Sequence, residues 1–315
     1  MHFYPDEALN EQQVLERYQA ARLSGHPDTA LGWLRMLIAA KPGDARLAFL
    51  MGRTLVSAGR YDEAEAWLEH GLAYHVGRQP PATAEIRTPL CIIGMPRSAS
   101  SNLTKTLATF THRPTMELGF GELAPRIDVP LQDAYLKAFV EGRFACHSHL
   151  SPTKESLERL AASGVDKIFV QTRDPRQALA SFHGYSLKSA EILSRLNHVY
   201  AGYSYLPAKE QVTLLARIYY PSLLTWLKGW EDAQKERRAG LEISIGRFED
   251  MVADEARYRS TLADFLAVAL ENVPPIQEDG RRTPPKDEWR GLLAPQEQQV
   301  LDDRLNGIRS ELYSA

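Results

Sequence analysis

The stretch LCIIGMPRSASSNLTKTL, Leu90 to Leu107, runs from an apolar strand through a Pro-Arg-Ser turn into a helix that opens on small hydroxyl residues. Strand, turn and helix in that order are the building unit of an α/β sheet. The order gathers unpaired backbone N–H groups, a helix N-terminus and one guanidinium around a single point, which attracts a phosphate or sulfate. A second such unit, KIFVQTRDPRQALASF from Lys167 to Phe182, ends its strand on another arginine. Two anion-seeking turns in one chain imply a nucleotide with two separate phosphate positions.

Strands and helices alternate after Pro89. Strands are predicted at Leu90–Met95, Thr115–Leu118, Arg143–His147, Asp166–Gln171 and Glu242–Arg247. Helices are predicted over Ser100–Phe110, Thr153–Ala162 and one long span, Lys209–Arg238. Ser151 and Pro152 read as an N-cap and first-turn pair, and Gly164 as a C-terminal stop. Such alternation implies a parallel sheet covered on both faces, with ligands at its C-terminal edge.

The first part of the chain is different. Gly25, Asp28, Ala30, Trp33 and Leu34 recur as Gly59, Asp62, Ala64, Trp67 and Leu68, each 34 residues later. That is the period of tetratricopeptide helix pairs, in which small residues let helices approach and Trp and Leu fill the gaps. Pro42 and Gly71 punctuate the units, and the proline-rich GRQPPATAEIRTP marks the boundary. The expected organisation is a helical repeat unit at 1–78, a linker at 79–88 and an α/β domain at 89–315. Two pairs are too few to stand alone, so they are expected to dock on the following domain, a second subunit or a protein partner.

Composition narrows the partners. A net charge of −3 gives no general attraction to nucleic acid or anionic lipid, so an anion site must be built locally. Cys91 and Cys146 make neither a disulfide framework nor a metal-ligand spacing, which favours a reducing compartment and predicts no metal. MHFYPDEALNEQQ lacks a basic-then-apolar signal pattern, and no apolar run reaches membrane-spanning length. A cytoplasmic protein is expected.

In the first turn, Pro96, Arg97, Ser98, Ala99, Ser100 and Ser101 are the candidate anion cradle, with Arg97 facing the atom being transferred. A Walker-type loop would need glycine at Ala99 and lysine at Ser100, so an ATP or GTP phosphotransferase is disfavoured. In the second turn, Arg173 and Ser181 can fold back on one phosphate, although an Arg–Asp pair capping the helix accounts for Arg-Asp-Pro as well.

With these residues in view, the chain resembles the sulfotransferases that use 3′-phosphoadenosine 5′-phosphosulfate. PRSASSNL is similar to their 5′-phosphosulfate loop, and KIFVQTRDPRQALASF to their 3′-phosphate segment, with Arg173 and Ser181 at the contact positions. CHSHL resembles their strand end and sets His149 at the catalytic-base position, while ISIGRFEDMVAD and DEWRGLLAPQEQQVL match later segments. The resemblance runs from Thr88 to Leu301. Together with the repeats it is similar to a bacterial subgroup that shares a Gly-Glu with the protein-tyrosine sulfotransferases, here Gly121-Glu122, making Glu122 the second candidate base.

The resemblance implies a P-loop-NTPase-like parallel sheet flanked by helices. It implies transfer of a sulfuryl group to a hydroxyl, less readily an amine, with adenosine 3′,5′-bisphosphate as product. Arg97 counters charge on the phosphosulfate bridge, no metal is needed, and Arg281 and Arg282 are additional 3′-phosphate candidates.

The chain departs from the pattern at three points. Ala99 replaces the loop glycine, so positive φ is not expected there. Asn102 replaces a stacking tryptophan and His147 the strand lysine. A nucleotide kinase and an inactive repeat-based interaction protein are the alternatives.

The acceptor, a small molecule, sugar or peptide, is not fixed by the residues. Tyr185, Tyr200, Tyr203 and Tyr205 either wall its pocket or pack the core. Trp226 and Trp230 are expected in the core, and Glu249 and Asp250 at a strand end.

Overall fold

A computed structural model describes residues 9–77, 89–118, 131–142, 144–276 and 288–313. Its first four helices are α1 (Glu11–Leu23), α2 (Pro27–Ala40), α3 (Ala45–Ser57) and α4 (Tyr61–Gly77). Gly25 and Gly59 turn the chain within each pair at φ of +73° and +74°, where a side chain would be strained. Asn10 and Asp44 cap α1 and α3 by accepting from backbone amides in the first turn. Ala30, Leu34, Ala64 and Leu68 are fully buried, as the repeat predicts. Gly71 lies inside α4 rather than near its end, and a Cβ there would stand 2.7 Å from the Phe49 backbone. That clash makes the close approach of α3 and α4 depend on glycine.

The sheet follows: β1 (Leu90–Gly94), α5 (Ser100–Phe110), β2 (Thr115–Glu117), α6 (Asp133–Glu141), β3 (Ala145–Ser148), α7 (Lys154–Ala162) and β4 (Lys167–Thr172). Then come α8 (Pro175–Ser186), α9 (Ala190–Val199), α10 (Ala208–Ile218), α11 (Tyr220–Lys235) and β5 (Glu242–Arg247). Helices α12 (Phe248–Ala253), α13 (Glu255–Leu266), α14 (Glu288–Leu292) and α15 (Pro295–Gly307) close the chain. The five strands are all parallel in the order β2-β3-β1-β4-β5.

Alternate strand residues supply two cores. Leu90, Ile92, Ala145 and Phe169 pack with Leu103 and Leu107 of α5 and Leu262 of α13. Cys91, Ile93, Cys146, Ile168 and Val170 pack on the opposite side with α7, α8 and α11. Apolar residues on both faces are what a fully covered parallel sheet requires. From β1 the chain departs toward β2, and from β4 toward β5, so β1 and β4 part at a topological switch point. Both anion-seeking turns begin there.

The repeats dock on this sheet's own layer of helices. Ala134, Tyr135 and Ala138 of α6 share a buried cluster with Leu34, Leu37, Leu68 and Leu72. Phe49 and Tyr135 meet with ring centroids 6.4 Å apart, Lys137 pairs with Glu69 at 3.0 Å, and the Ala134 amide donates to Glu65.

Three local expectations change. The span Lys209–Arg238 is two helices parted at Tyr219, because Pro221 lacks the amide that would continue the ladder and crowds the preceding turn. Thr153, not Ser151, caps α7, its Oγ1 accepting from the Ser156 amide at 3.1 Å. β3 lies at Ala145–Ser148, later than expected, and Arg143 falls outside the described residues. Gly164 does stop α7, at φ +94°. Among the described residues no helix is long and apolar enough to cross a membrane.

Candidate functional site

The first turn is built on two left-handed residues. The Ser98 amide donates to the Met95 carbonyl at 3.1 Å, closing a four-residue turn with Pro96 second and Arg97 third. Arg97 has φ +70°, the positive value that the third position of a type II turn demands. Ala99, the residue before α5, also has φ +63°, which corrects the expectation drawn from its missing glycine. Helical hydrogen bonds begin only at Asn102, whose amide reaches the Ala99 carbonyl at 3.0 Å. The amides of Ala99, Ser100 and Ser101 have no partner among the described residues and open at the helix N-terminus. Gly94 is essential to this closure, since a Cβ there would come within 2.0 Å of Ser100 Oγ.

The second turn holds the first in place. Gln171, fully buried at the end of β4, donates from Nε2 to the Ser98 carbonyl at 3.2 Å and accepts from Tyr258. Its own carbonyl receives the Met95 amide at 2.8 Å. Arg173 is buried, and its Nη1 donates to the Arg97 carbonyl at 2.9 Å. Phe248 lies under the Arg173 guanidinium, 4.4 Å from it. Burial works against this charge, Glu249 favours it, and the like charge of Arg97 opposes it.

Asp174 favours the Arg173 charge from nearby, but its carboxylate is engaged elsewhere. It caps α8 on the Arg176 amide at 2.8 Å, and Arg176 pairs with Asp174 and Asp302. Glu249 ties the turn down from the other side, accepting from the Asp174 amide and the Tyr313 hydroxyl, each at 2.9 Å. Asp250 faces Arg247 at 4.0 Å, so both acids fasten the end of β5.

Arg97 and Ser181 meet directly, Nε donating to Oγ at 3.3 Å, and the Arg97 guanidinium lies 4.2 Å from the Tyr185 ring. Buried polar atoms without partners surround the same point: Ser98 Oγ, Arg173 Nε and the Tyr219 hydroxyl, which feels the charge of Arg97. Such atoms are costly unless a ligand or water completes them.

Two histidines end β3. His147 Nε2 lies 2.9 Å from Ser100 Oγ and 3.3 Å from Ser101 Oγ. Burial, reinforced by His149, pushes its pKa down to about 3, so the ring is neutral. His149 Nδ1 donates to the Gly94 carbonyl at 2.6 Å, while its Nε2 has no hydrogen bond among the described residues. Burial also lowers the His149 pKa, the Gly94 bond opposes that shift, and Arg97 adds to it. The two rings meet edge to face at 4.9 Å.

Pro96, Arg97, Ser98, Ala99, Ser100 and Ser101 are thus joined by direct contacts to Arg173 and Ser181, and His149 is tied to Gly94 at the foot of the same turn. Glu122, Arg281 and Arg282 lie outside the described residues. Gln171, Gln177 and Tyr219 were not anticipated as site residues, because nothing local marks them; only the pairing of β1 with β4 brings Gln171 to the loop. Trp226 and Trp230 are core, as expected, yet both indole N–H groups donate to the Leu150 carbonyl, at 2.8 and 3.2 Å, beside His149. Of the tyrosines, Tyr203 is buried in the core, Tyr200 packs against it, and Tyr205 is 91% exposed. Among the described residues no group of three or more His, Cys, Asp or Glu is arranged to hold a metal ion.

The tetratricopeptide repeat family model matches residues 21–83. No curated protein matches the chain. Among solved structures the chain is similar to mouse sulfotransferase SULT7A1 complexed with PAP, at 12% identity and a TM-score of 0.49, over 74% of this chain and 91% of that one.

Proposed function

We propose that the chain is a sulfotransferase that moves the sulfuryl group of 3′-phosphoadenosine 5′-phosphosulfate to an acceptor hydroxyl, less readily to an amine. The observation that carries this reading is the meeting of Arg97, Arg173 and Ser181 at the switch point, around the partnerless Ser98 Oγ and Arg173 Nε. Open amides, hydroxyls and two guanidiniums are the donor set that an anionic nucleotide needs. The amides of residues 99–101 and the hydroxyls of Ser98, Ser100 and Ser101 hold the 5′-phosphate. Arg173 and Ser181, with Arg281 and Arg282, serve the 3′-phosphate.

In this reading His149 Nε2 takes the acceptor's proton as the new oxygen–sulfur bond forms and the bond from sulfur to the bridging oxygen breaks. Arg97 and the loop amides stabilise the charge left on that oxygen, and adenosine 3′,5′-bisphosphate departs. Glu122 is the alternative base. Residues 1–78 are read as the repeat unit, 79–88 as a linker and 89–315 as the transferase domain. The acceptor is a small molecule, sugar or peptide, and the repeats serve as a docking face for a protein partner or second subunit. A cytoplasmic location follows from the same reading.

Calorimetric titration with adenosine 3′,5′-bisphosphate in excess EDTA tests the donor, followed by transfer from radiolabelled donor to an acceptor panel. Binding without metal is expected, as is strong loss of turnover in Arg97→Ala at saturating donor. Magnesium-dependent binding of ATP in its place would overturn the reading in favour of a nucleotide kinase.

A further inference from the structure

Helix α8 carries Gln177, Ser181 and Tyr185 at four-residue intervals, a spacing that lines side chains along one face. Each touches one of the two arginines. Gln177 Oε1 accepts from Arg173 Nη2 at 3.4 Å, Ser181 Oγ accepts from Arg97 Nε at 3.3 Å, and the Tyr185 ring lies against the Arg97 guanidinium at 4.2 Å. The arginines stand in the turns that follow β1 and β4, and their like charges oppose one another. Arg173 Nη1 already ties to the Arg97 carbonyl at 2.9 Å, but that bond leaves the orientation of the Arg97 guanidinium open. The helix face is what both arginines contact.

We propose that Gln177 and Tyr185 are positioning residues, and that the α8 face is a rail that holds the two guanidiniums in register for a doubly phosphorylated ligand. The proposal rests on the donor reading above and adds two residues to it. Tyr185 acts through its π face: the ring fixes the plane of the Arg97 guanidinium and with it the direction of its N–H groups. Its hydroxyl is not needed for this, so phenylalanine should replace tyrosine and an aliphatic side chain should not. Of the two guanidiniums, Gln177 meets that of Arg173. Its removal should be felt by a ligand with a 3′-phosphate and not by one without it.

The test measures Kd for adenosine 3′,5′-bisphosphate and adenosine 5′-monophosphate on the full chain, with melting temperature as the folding control. Tyr185→Leu should weaken both nucleotides about ten-fold, while Tyr185→Phe stays within about two-fold of wild type. Gln177→Ala should weaken the bisphosphate several-fold and leave the monophosphate unchanged. Tyr185→Ser replaces the leucine variant if that chain does not fold. Equal binding by the phenylalanine and leucine chains would overturn the role of Tyr185, and equal losses for both nucleotides in Gln177→Ala would overturn that of Gln177.

Failure of the donor reading gives a different signature. Wild type that binds inorganic pyrophosphate but not the bisphosphate removes the nucleotide assignment. The Tyr185→Leu and Tyr185→Phe contrast, repeated with pyrophosphate, then supports or overturns the rail. Wild type that binds neither anion overturns both.

Discussion

His149 and Gly94 are joined across adjacent strands, the imidazole Nδ1 donating to the glycine carbonyl at 2.6 Å. A carbonyl only accepts, so Nδ1 carries the proton and the neutral ring keeps its lone pair on Nε2. The last residue of β1 thus fixes both the tautomer and the aim of the ring beside the anion turn.

The pH dependence of turnover follows from that arrangement. Burial lowers the His149 pKa and Arg97 adds to the shift, so the imidazole proposed as the base stays unprotonated below the usual histidine range. The acid limb of kcat/KM should therefore inflect below about pH 6.5, with a plateau above it. His149→Gln should lower kcat about a hundredfold or more while binding of adenosine 3′,5′-bisphosphate stays near wild type. Wild-type turnover in His149→Gln, with loss in Glu122→Gln, would move the role to Glu122.

His147 makes a separate prediction, about stability. Its folded pKa of about 3 lies below the ordinary histidine value of 6.5. As pH falls below 6.5 the unfolded chain takes up a proton that the folded chain refuses, so stability is full above that pH and declines toward pH 3. By pH 5 the decline from this group is about 2 kcal/mol. Urea unfolding of His147→Asn should show a correspondingly shallower loss between pH 7.5 and 5. An unchanged slope would mean that His147 is not held neutral.

Much of this site could be read before the fold was known, and the reasons are local. The apolar run of β1 and the hydroxyl-rich start of α5 are short-range signals, and α5 lies at Ser100–Phe110 as predicted. Arg173 stands where a predicted strand ends. Gln171 and Gln177 are opaque for the opposite reason. Which face of α8 meets the first turn depends on β4 lying beside β1, a pairing that no segment encodes by itself. Ala99 departs from the local rule, since a side chain ordinarily disfavours the positive φ it adopts. The fold supplies that conformation from outside, through the Ser98–Met95 turn and the Gln171 clamp on the Ser98 carbonyl.

Ala99 should therefore be a site of stored strain. A left-handed residue with a Cβ costs about 1–2 kcal/mol, part of which glycine's greater unfolded freedom cancels. Ala99→Gly is expected to stabilise the chain by about 0.5–1 kcal/mol, a rise of about 1–3 °C in Tm. Calorimetry that finds the variant less stable would show that the alanine is not strained in solution.

The Leu150 carbonyl offers the sharpest test of how the core positions the proposed base. It accepts from two buried indoles, Trp226 and Trp230, so either donor alone keeps it satisfied. Only loss of both leaves a buried carbonyl without its donors, a cost of about 1–3 kcal/mol. Trp226→Phe and Trp230→Phe should each destabilise through lost packing, and the double variant should exceed their sum by about 1–2 kcal/mol. Because Leu150 follows His149, the double variant should also lose kcat while nucleotide affinity holds. Strict additivity in a urea double-mutant cycle would mean that the two N–H groups do not share this carbonyl, and that the end of β3 is anchored elsewhere.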